Sequence, residues 1–174
     1  MNLLNSLFAA TLVAGLPAVS PAQAATIERV YTNQGGPACQ LSVPTTSSQV
    51  RPRATGMRNE GAGNEFVICQ FPSNGTPFYK AAITVVTIDG NAHDVQCTGM
   101  DGTQLSGTIY STKTSATGSP GTPKFIYWYA ADFQWPSAPT PATFHRPEFS
   151  VTCVLPAGAA IESVYGYYTD DVGQ

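Results

Sequence analysis

The stretch Phe149-Ser150-Val151-Thr152-Cys153-Val154-Leu155 decides the fold class. Phe149, Val151, Cys153 and Leu155 stand at every second position, so they share one face of an extended chain. A helix would instead need apolar residues at spacings of three and four. The stretch therefore predicts a β-strand with one buried face.

Segments of the same kind lie along the chain before and after this strand. They occupy residues 27–32, 65–71, 80–88, 92–97, 104–114, 124–130 and 161–168. No stretch of a dozen residues carries a helical apolar spacing without Gly, Pro or a run of β-branched residues. The sequence therefore predicts an all-β fold, a two-sheet antiparallel β-sandwich that is jelly-roll-like or Ig-like. The jelly-roll is favoured, because the Cys–Trp–Cys spacing of immunoglobulin domains is missing.

Two Asp-Gly dipeptides predict turns between these segments. Asp89-Gly90 separates residues 80–88 from residues 92–97, which predicts that the two segments form a hairpin. Asp101-Gly102 predicts a second turn, before residues 104–114.

The first 24 residues have the features of an export signal. An apolar run within Leu3 to Leu16 ends at Pro17, and Ala22-Gln23-Ala24 fits an A-x-A cleavage site. The alternative is an N-terminal anchor helix, but the run is shorter than the about 20 apolar residues that span a bilayer. Cleavage after Ala24 would leave residues 25–174 as a single domain of 174 − 24 = 150 residues. The expected location is secreted or periplasmic.

Four cysteines follow the predicted cleavage site, and an even number in an exported chain indicates disulfides. Three pairings are possible. We favour Cys39–Cys69 and Cys97–Cys153, because Cys69, Cys97 and Cys153 lie in alternating segments whose inward faces can meet. Zinc is the alternative, but the chain has no C-x-x-C pair and its two histidines have no ligand spacing. The sequence predicts no metal and no cofactor.

Charge is sparse in this chain and slightly negative. Only 11% of residues are charged, and the formal net charge is −3. Nucleic-acid binding needs a basic face, so a nucleic-acid partner is not expected. No membrane span is expected in the mature form.

A basic segment supplies the first candidate site. Arg51, Arg53 and Arg58 lie within eight positions of each other. Guanidinium groups suit carboxylate or sulfate groups, so this segment could bind an acidic sugar or an anionic surface. The alternative is that the arginines pair with Glu60 and Glu65 and hold a long loop in place.

A group of aromatic residues supplies the second candidate site. Five aromatic residues lie within nine positions, and three more follow later in the chain: Tyr127, Trp128, Tyr129, Phe133 and Trp135, then Tyr165, Tyr167 and Tyr168. In a strand, Tyr127 and Tyr129 face one way and Trp128 the other, so one set must be core and the other can be exposed. Exposed flat rings could stack on sugar rings, whose faces are apolar. The alternative is that all of them are ordinary core and sheet-surface aromatics.

Catalytic and calcium sites are weaker possibilities. Asp89, Asp94, Asp101, Asp170 and Asp171 match no calcium-loop spacing. His93 and His145 are the only imidazoles, and no G-x-S-x-G or H-E-x-x-H motif accompanies them. No pair of acids is singled out for glycosidase chemistry.

Three runs of sequence, together with the closing stretch 165–171 (YGYYTDD), resemble a signature of small exported proteobacterial proteins with four cysteines and unknown function. The three runs are residues 50–69 (VRPRATGMRNEGAGNEFVIC), residues 93–99 (HDVQCTG) and residues 149–153 (FSVTC). The resemblance implies export and the four-cysteine plan. It carries over no functional residue.

These observations favour a non-enzymatic binding module for glycan or protein at the cell envelope. One alternative is a secreted hydrolase whose acids and His145 assemble only in the fold. Another is a structural or inhibitor-like module that presents loops to a protein.

Overall fold

The computed structural model describes residues 25–43, 48–105, 107–136 and 138–173, so the predicted signal peptide (1–24) lies outside the described residues. The strands are β1 Thr26–Gln34, β2 Cys39–Leu41, β3 Val50–Arg53, β4 Gly56–Asn59, β5 Glu65–Gln70, β6 Lys80–Thr87, β7 Asp94–Thr103, β8 Gly107–Ala116, β9 Lys124–Tyr129, β10 Phe149–Leu155 and β11 Ala159–Asp171. Two single-turn helices, α1 Gly35–Ala38 and the 3₁₀ helix Ala130–Phe133, were not predicted. None of the helices among these residues is long and apolar enough to cross a membrane.

The strands form two antiparallel sheets, which confirms the predicted sandwich. The six-stranded sheet has the order β3-β4-β11-β6-β9, with β1 also paired to β11. The five-stranded sheet has the order β2-β5-β10-β7-β8. From β4 to β11 the chain passes between the sheets at nearly every step, as in a jelly-roll.

The hairpin predicted around Asp89-Gly90 is wrong. β6 lies between β11 and β9 in one sheet, whereas β7 lies between β10 and β8 in the other. Gly90 does adopt the positive φ of a turn, 86°. However, the Ile88 amide donates to the Gly158 carbonyl at 2.8 Å, which ties the chain after β6 to the β10–β11 loop rather than to β7. The turn therefore redirects the chain from one sheet to the other.

The turn predicted at Asp101-Gly102 is also misplaced, because both residues lie inside β7. The hairpin from β7 to β8 is present, but its turn comes later, at residues 104–105. The carboxylate of Asp101 is buried and accepts hydrogen bonds from the backbone amides of His145 and Arg146, at 2.8 and 3.3 Å. Asp101 is therefore used to hold a distant loop instead of starting a turn.

The core lies between the sheets, and Trp128 is its largest fully buried side chain. Trp128 belongs to β9 of the six-stranded sheet, yet its indole Nε1 donates to the Ser111 carbonyl on β8 of the other sheet at 2.9 Å. The indole passes over Gly99, where an added Cβ would come within 2.8 Å of Nε1. The glycine therefore makes room for the ring.

The predicted disulfide pairing is confirmed: Cys39 is bonded to Cys69 and Cys97 to Cys153. Each bond joins residues that are directly opposite on neighbouring strands, β2 with β5 and β7 with β10. Both bonds therefore lie within the five-stranded sheet, on its core side, rather than joining one sheet to the other.

Candidate functional site

The outer face of the six-stranded sheet carries aromatic rings on both sides of β6. Ala82 of β6 lies opposite Tyr127 of β9 and, on its other side, opposite Tyr165 of β11. Because directly paired residues project to the same face, the register of three strands places rings from β9 and β11 beside each other. Phe125 occupies the corresponding position opposite Thr84.

The rings of β9 form a row along the strand. The centroids of Phe125 and Tyr127 are 5.4 Å apart, and their planes differ by 9°. The centroids of Tyr127 and Tyr129 are 6.1 Å apart with an angle of 29°. Phe125 is 39% exposed and Tyr129 49% exposed, so the row is open to solvent.

A second row on β11 lies beside the first. Tyr165 and Tyr167 stack at 6.5 Å and 22°, and the ring of Tyr165 lies 5.7 Å from that of Phe125. We call the five rings Phe125, Tyr127, Tyr129, Tyr165 and Tyr167 the ring surface. It is a shallow, largely apolar area whose phenol groups can also form hydrogen bonds.

Small residues of β6 form the floor beneath the ring surface. Ala82 and Thr84 have no exposed area. Neither belongs to the core cluster between the sheets, which contains the alternate residues Ala81, Ile83 and Val85. The neighbouring rings on the outer face therefore account for the burial of Ala82 and Thr84.

One cation lies within the ring surface. The Lys80 ammonium lies 3.8 Å from the ring centroid of Tyr167 and 5.7 Å from that of Tyr127. Tyr79 is a third neighbour, at 6.0 Å. These distances fall within the range of a cation–π interaction.

The phenol groups near Lys80 stay protonated well into alkaline solution. Burial raises the pKa of Tyr167, and the neighbouring tyrosines raise it further. Burial and the nearby Glu28 carboxylate raise the pKa of Tyr79. At neutral pH the Tyr167 hydroxyl is a neutral hydrogen-bond donor, whereas the Tyr79 hydroxyl already donates to Glu28.

The structure divides the predicted aromatic candidates. Tyr127 and Tyr129 belong to the ring surface, as their alternation allows. The prediction that Trp128 binds a ligand is wrong, because its side chain has no exposed area. Trp135 is 42% exposed but lies beside His145, 6.0 Å from its ring, and not on the ring surface.

Phe125 and Lys80 were not among the sequence candidates, and Tyr165 and Tyr167 were noted only as aromatic residues later in the chain. Phe125 could have been found, because it shares the alternation of Tyr127 and Tyr129. Tyr165, Tyr167 and Lys80 join the site only through the β9–β6–β11 register, which no local pattern specifies.

The arginines of the basic segment pair in part with a nearby glutamate, which was the alternative to anion binding. Both Arg51 and Arg53 contact the Glu60 carboxylate, at 3.1 and 2.7 Å. The hydrogen bond from Arg53 is the main cause that lowers the pKa of Glu60 to about 2. Arg58 is half-buried on β4, directly opposite Arg51. The charges of Arg51 and Arg53 are thus shared with one carboxylate, which leaves less of them for an anionic ligand.

Two acids, Glu60 and Asp89, line one open cavity of about 290 Å³. His93 donates its hydrogen bond to Asp89 at 2.9 Å and is the main cause that lowers the pKa of Asp89. A glycosidase needs one carboxylic acid that remains protonated to assist the leaving group. Because both pKa values are lowered, this pair offers two carboxylates and no such acid.

His145 lies beside Asp101, a contact that no sequence pattern predicts. Its Nδ1 lies 2.8 Å from the buried Asp101 carboxylate, beside a cavity of about 190 Å³ that Trp135 and Arg146 also line. Within the described ranges, no hydroxyl or thiol is hydrogen-bonded to the other ring nitrogen, as a triad would require. In the same part of the chain, no group of three or more His, Cys, Asp or Glu side chains could hold a metal ion.

The chain matches no family model and no curated protein. Solved structures with similarity to it include the Podospora anserina GH26-CBM35 β-(1,4)-mannanase, at 12% identity and a TM-score of 0.35, over 81% of this chain and 28% of that one. They also include CtCBM11, at 13% identity and a TM-score of 0.36 over 91% of both chains. A third is the family 11 carbohydrate-binding module of the Clostridium thermocellum cellulase Lic26A-Cel5E, at 11% identity and a TM-score of 0.37, over 84% of this chain and 88% of that one. These similarities are too remote to carry an argument about what this chain binds.

Proposed function

We propose that this protein is a non-enzymatic, exported β-sandwich that binds a polysaccharide on the ring surface. The observation that carries the proposal is the solvent-open row Phe125–Tyr127–Tyr129, whose rings form an offset stack along β9 beside the rings of β11. Such a row presents ring edges, partly open ring faces and phenol hydroxyls along the strand, and these can contact successive sugar rings of one glycan chain.

The chemistry of the surface suits a sugar better than a protein. The fully buried centre of a protein interface is depleted of charged residues, whereas this surface has the Lys80 ammonium among its rings. Here four of the five rings are tyrosines, so hydroxyl groups lie among the apolar ring faces and can bond to the hydroxyls at the edge of a sugar. The rings also already pack on one another and on the floor of β6, so little side-chain entropy is lost on binding.

The hydrolase alternative is less well supported. The pair of acids in one cavity, Glu60 and Asp89, is held ionised by basic partners. Asp101 beside His145 is occupied with two backbone amides of the neighbouring loop. These contacts favour structural roles for the three acids.

Export is the second part of the proposal. It rests on the sequence of residues 1–24 and on two disulfides, which form and persist outside the reducing cytoplasm. Mass spectrometry of the secreted or periplasmic form is expected to find Ala25 at the N-terminus. An intact Met1 in a membrane fraction would contradict this part.

The experiment is affinity electrophoresis of the oxidised protein through native gels containing neutral, acidic or chitin-like polysaccharides, followed by calorimetry with any retarding glycan. Replacing one ring, by Tyr127→Ala or Tyr129→Ala, is expected to weaken binding about tenfold, since it removes one stacking contact. Tyr110→Ala is the matched control, because Tyr110 is a 62% exposed tyrosine on β8 of the other sheet.

Unchanged migration in every glycan class would remove the proposal. Equal losses for Tyr127→Ala and Tyr110→Ala would place binding elsewhere on the molecule.

A further inference from the structure

The cation between the two rows, at the Tyr129–Tyr167 end of the ring surface, suggests which class of glycan the surface selects. Lys80 is opposite Tyr129 on one side and Tyr167 on the other, so its side chain lies between the two rows of rings. A neutral sugar needs no cation at this position, and the rings alone would provide the stacking.

Four of the eight Lys and Arg side chains form an ion pair with a carboxylate among the described residues, and Lys80 is not one of them. Arg29, Arg51, Arg53 and Lys113 each contact an aspartate or glutamate within 3.1 Å. Across the described residues, the Lys80 ammonium contacts ring faces and forms no ion pair. Its charge is therefore less neutralised than theirs.

The contacts also fix where the charge is. A distance of 3.8 Å to the Tyr167 centroid keeps the ammonium next to the ring face instead of extended into solvent. Lys80 is half-buried, so a negative group bound there would be partly shielded from water and salt. The raised pKa of the Tyr167 hydroxyl leaves a neutral hydrogen-bond donor in the same place.

We propose that the ring surface selects glycans that carry a carboxylate or sulfate group, with Lys80 as the residue that pairs with that group. This inference rests on the proposed function, because it assumes that a sugar stacks on the same rings. The carboxylate of a uronic acid and a sulfate ester share the relevant chemistry, and separate arms of the experiment distinguish them.

The experiment measures Kd by calorimetry for two pairs of polymers. One pair is polygalacturonate and its methyl-esterified form, and the other is dextran sulfate and dextran. In each pair the sugar backbone is constant and only the charge differs. At low salt, the charged member that fits is expected to bind about tenfold more tightly than its neutral partner, and this advantage is expected to fall in roughly 1 M salt.

Three variants separate the charge from the rings. Lys80→Met keeps the length and apolar stem of the side chain and is expected to abolish the advantage of the charged polymer while neutral binding persists. Lys124→Met removes the same charge from an exposed lysine at the start of β9 and is expected to preserve the advantage. Tyr127→Ala is expected to weaken charged and neutral polymers alike.

Each outcome has a distinct meaning. Equal affinity for charged and neutral polymers, with Tyr127→Ala still harmful, overturns the selection by Lys80 and leaves the glycan-binding function standing. Equal losses for Lys80→Met and Lys124→Met show only general charge attraction and also overturn it. If no polymer binds, or Tyr127→Ala has no effect, the proposed function fails and this inference fails with it.

Discussion

The two sheets of the sandwich have opposite designs. The five-stranded sheet contains both disulfides, and its outer face carries hydroxyl groups, such as the Thr98–Thr112 pair at 2.8 Å. Its exposed aromatic residues, Phe66 and Tyr110, make no ring contact among the described residues. The six-stranded sheet has no disulfide, yet its outer face carries five rings in mutual contact.

The difference teaches that covalent stabilisation and the candidate binding surface are separate in this molecule. The spacing of the rings depends on backbone ladders between β9, β6 and β11 and on the floor of small residues. The disulfides stabilise the sheet behind that surface. Stability and binding should therefore respond to different substitutions.

The largest effect is expected from removing a disulfide. Replacing Cys97 and Cys153 by alanine opens a loop whose ends are 56 positions apart and should lower the free energy of unfolding by up to about 4 kcal/mol. Thermal and denaturant unfolding measure the loss. The folded variant should bind glycan with wild-type Kd, and a changed Kd would break the separation of roles.

The next largest effect is expected at Asp101. Asp101→Ala leaves the amides of His145 and Arg146 and the imidazole without their buried acceptor, which should cost about 2–3 kcal/mol. Asp94→Ala, at an exposed position of the same strand, is the control and should stay within about 0.5 kcal/mol. Similar denaturant midpoints for the two variants would contradict the structural role of Asp101.

A smaller effect is expected from truncating one ring on each outer face. Phe125→Ala removes contacts with Tyr127 and Tyr165 and should cost about 1–2 kcal/mol. Tyr110→Ala removes an isolated ring and should cost less than about 0.5 kcal/mol. Equal losses in denaturant unfolding would show that the rings of the six-stranded sheet do not support each other.

The smallest effect is expected from removing the ion pair between Glu60 and Arg53, beside β3 and β4 of the six-stranded sheet. The pKa of Glu60 is lowered in the folded protein to about 2, so its ionised form contributes stability above the ordinary value of 4.5, and this contribution is lost as the pH falls towards about 2. Glu60→Gln should therefore lower Tm slightly at pH 7, and this difference should become much smaller near pH 2. Arg53→Gln should remove most of the same pH dependence; a dependence that survives it would contradict the assigned cause.

The sequence was sufficient for the sandwich because alternation is a local property. The alternate apolar residues of 149–155 face the core, and all seven residues belong to β10. The same reasoning separates Trp128 from Tyr127 and Tyr129. The favoured disulfide pairing is confirmed, although the sequence by itself left all three pairings possible.

The sequence was insufficient wherever long-range pairing decides the outcome. Asp89-Gly90 forms a turn in either topology, so it could not reveal that β6 and β7 belong to different sheets. Aspartate followed by glycine is typical of a turn, but the Asp101 carboxylate accepts a hydrogen bond from the backbone of a loop more than 40 positions away. The ring surface needs the register of three strands from three separate parts of the chain.

The pairing of β1 with β11 has a consequence for how the chain can complete its fold. Thr26 lies opposite Asp171, so β1 can pair only after β11 has been synthesised. A chain that crosses a membrane or leaves the ribosome with its N-terminus first would keep β1 unpaired until β11 has also emerged. The final ladder then joins two ends that are distant in sequence and adjacent in space, which postpones complete folding until the whole domain has emerged.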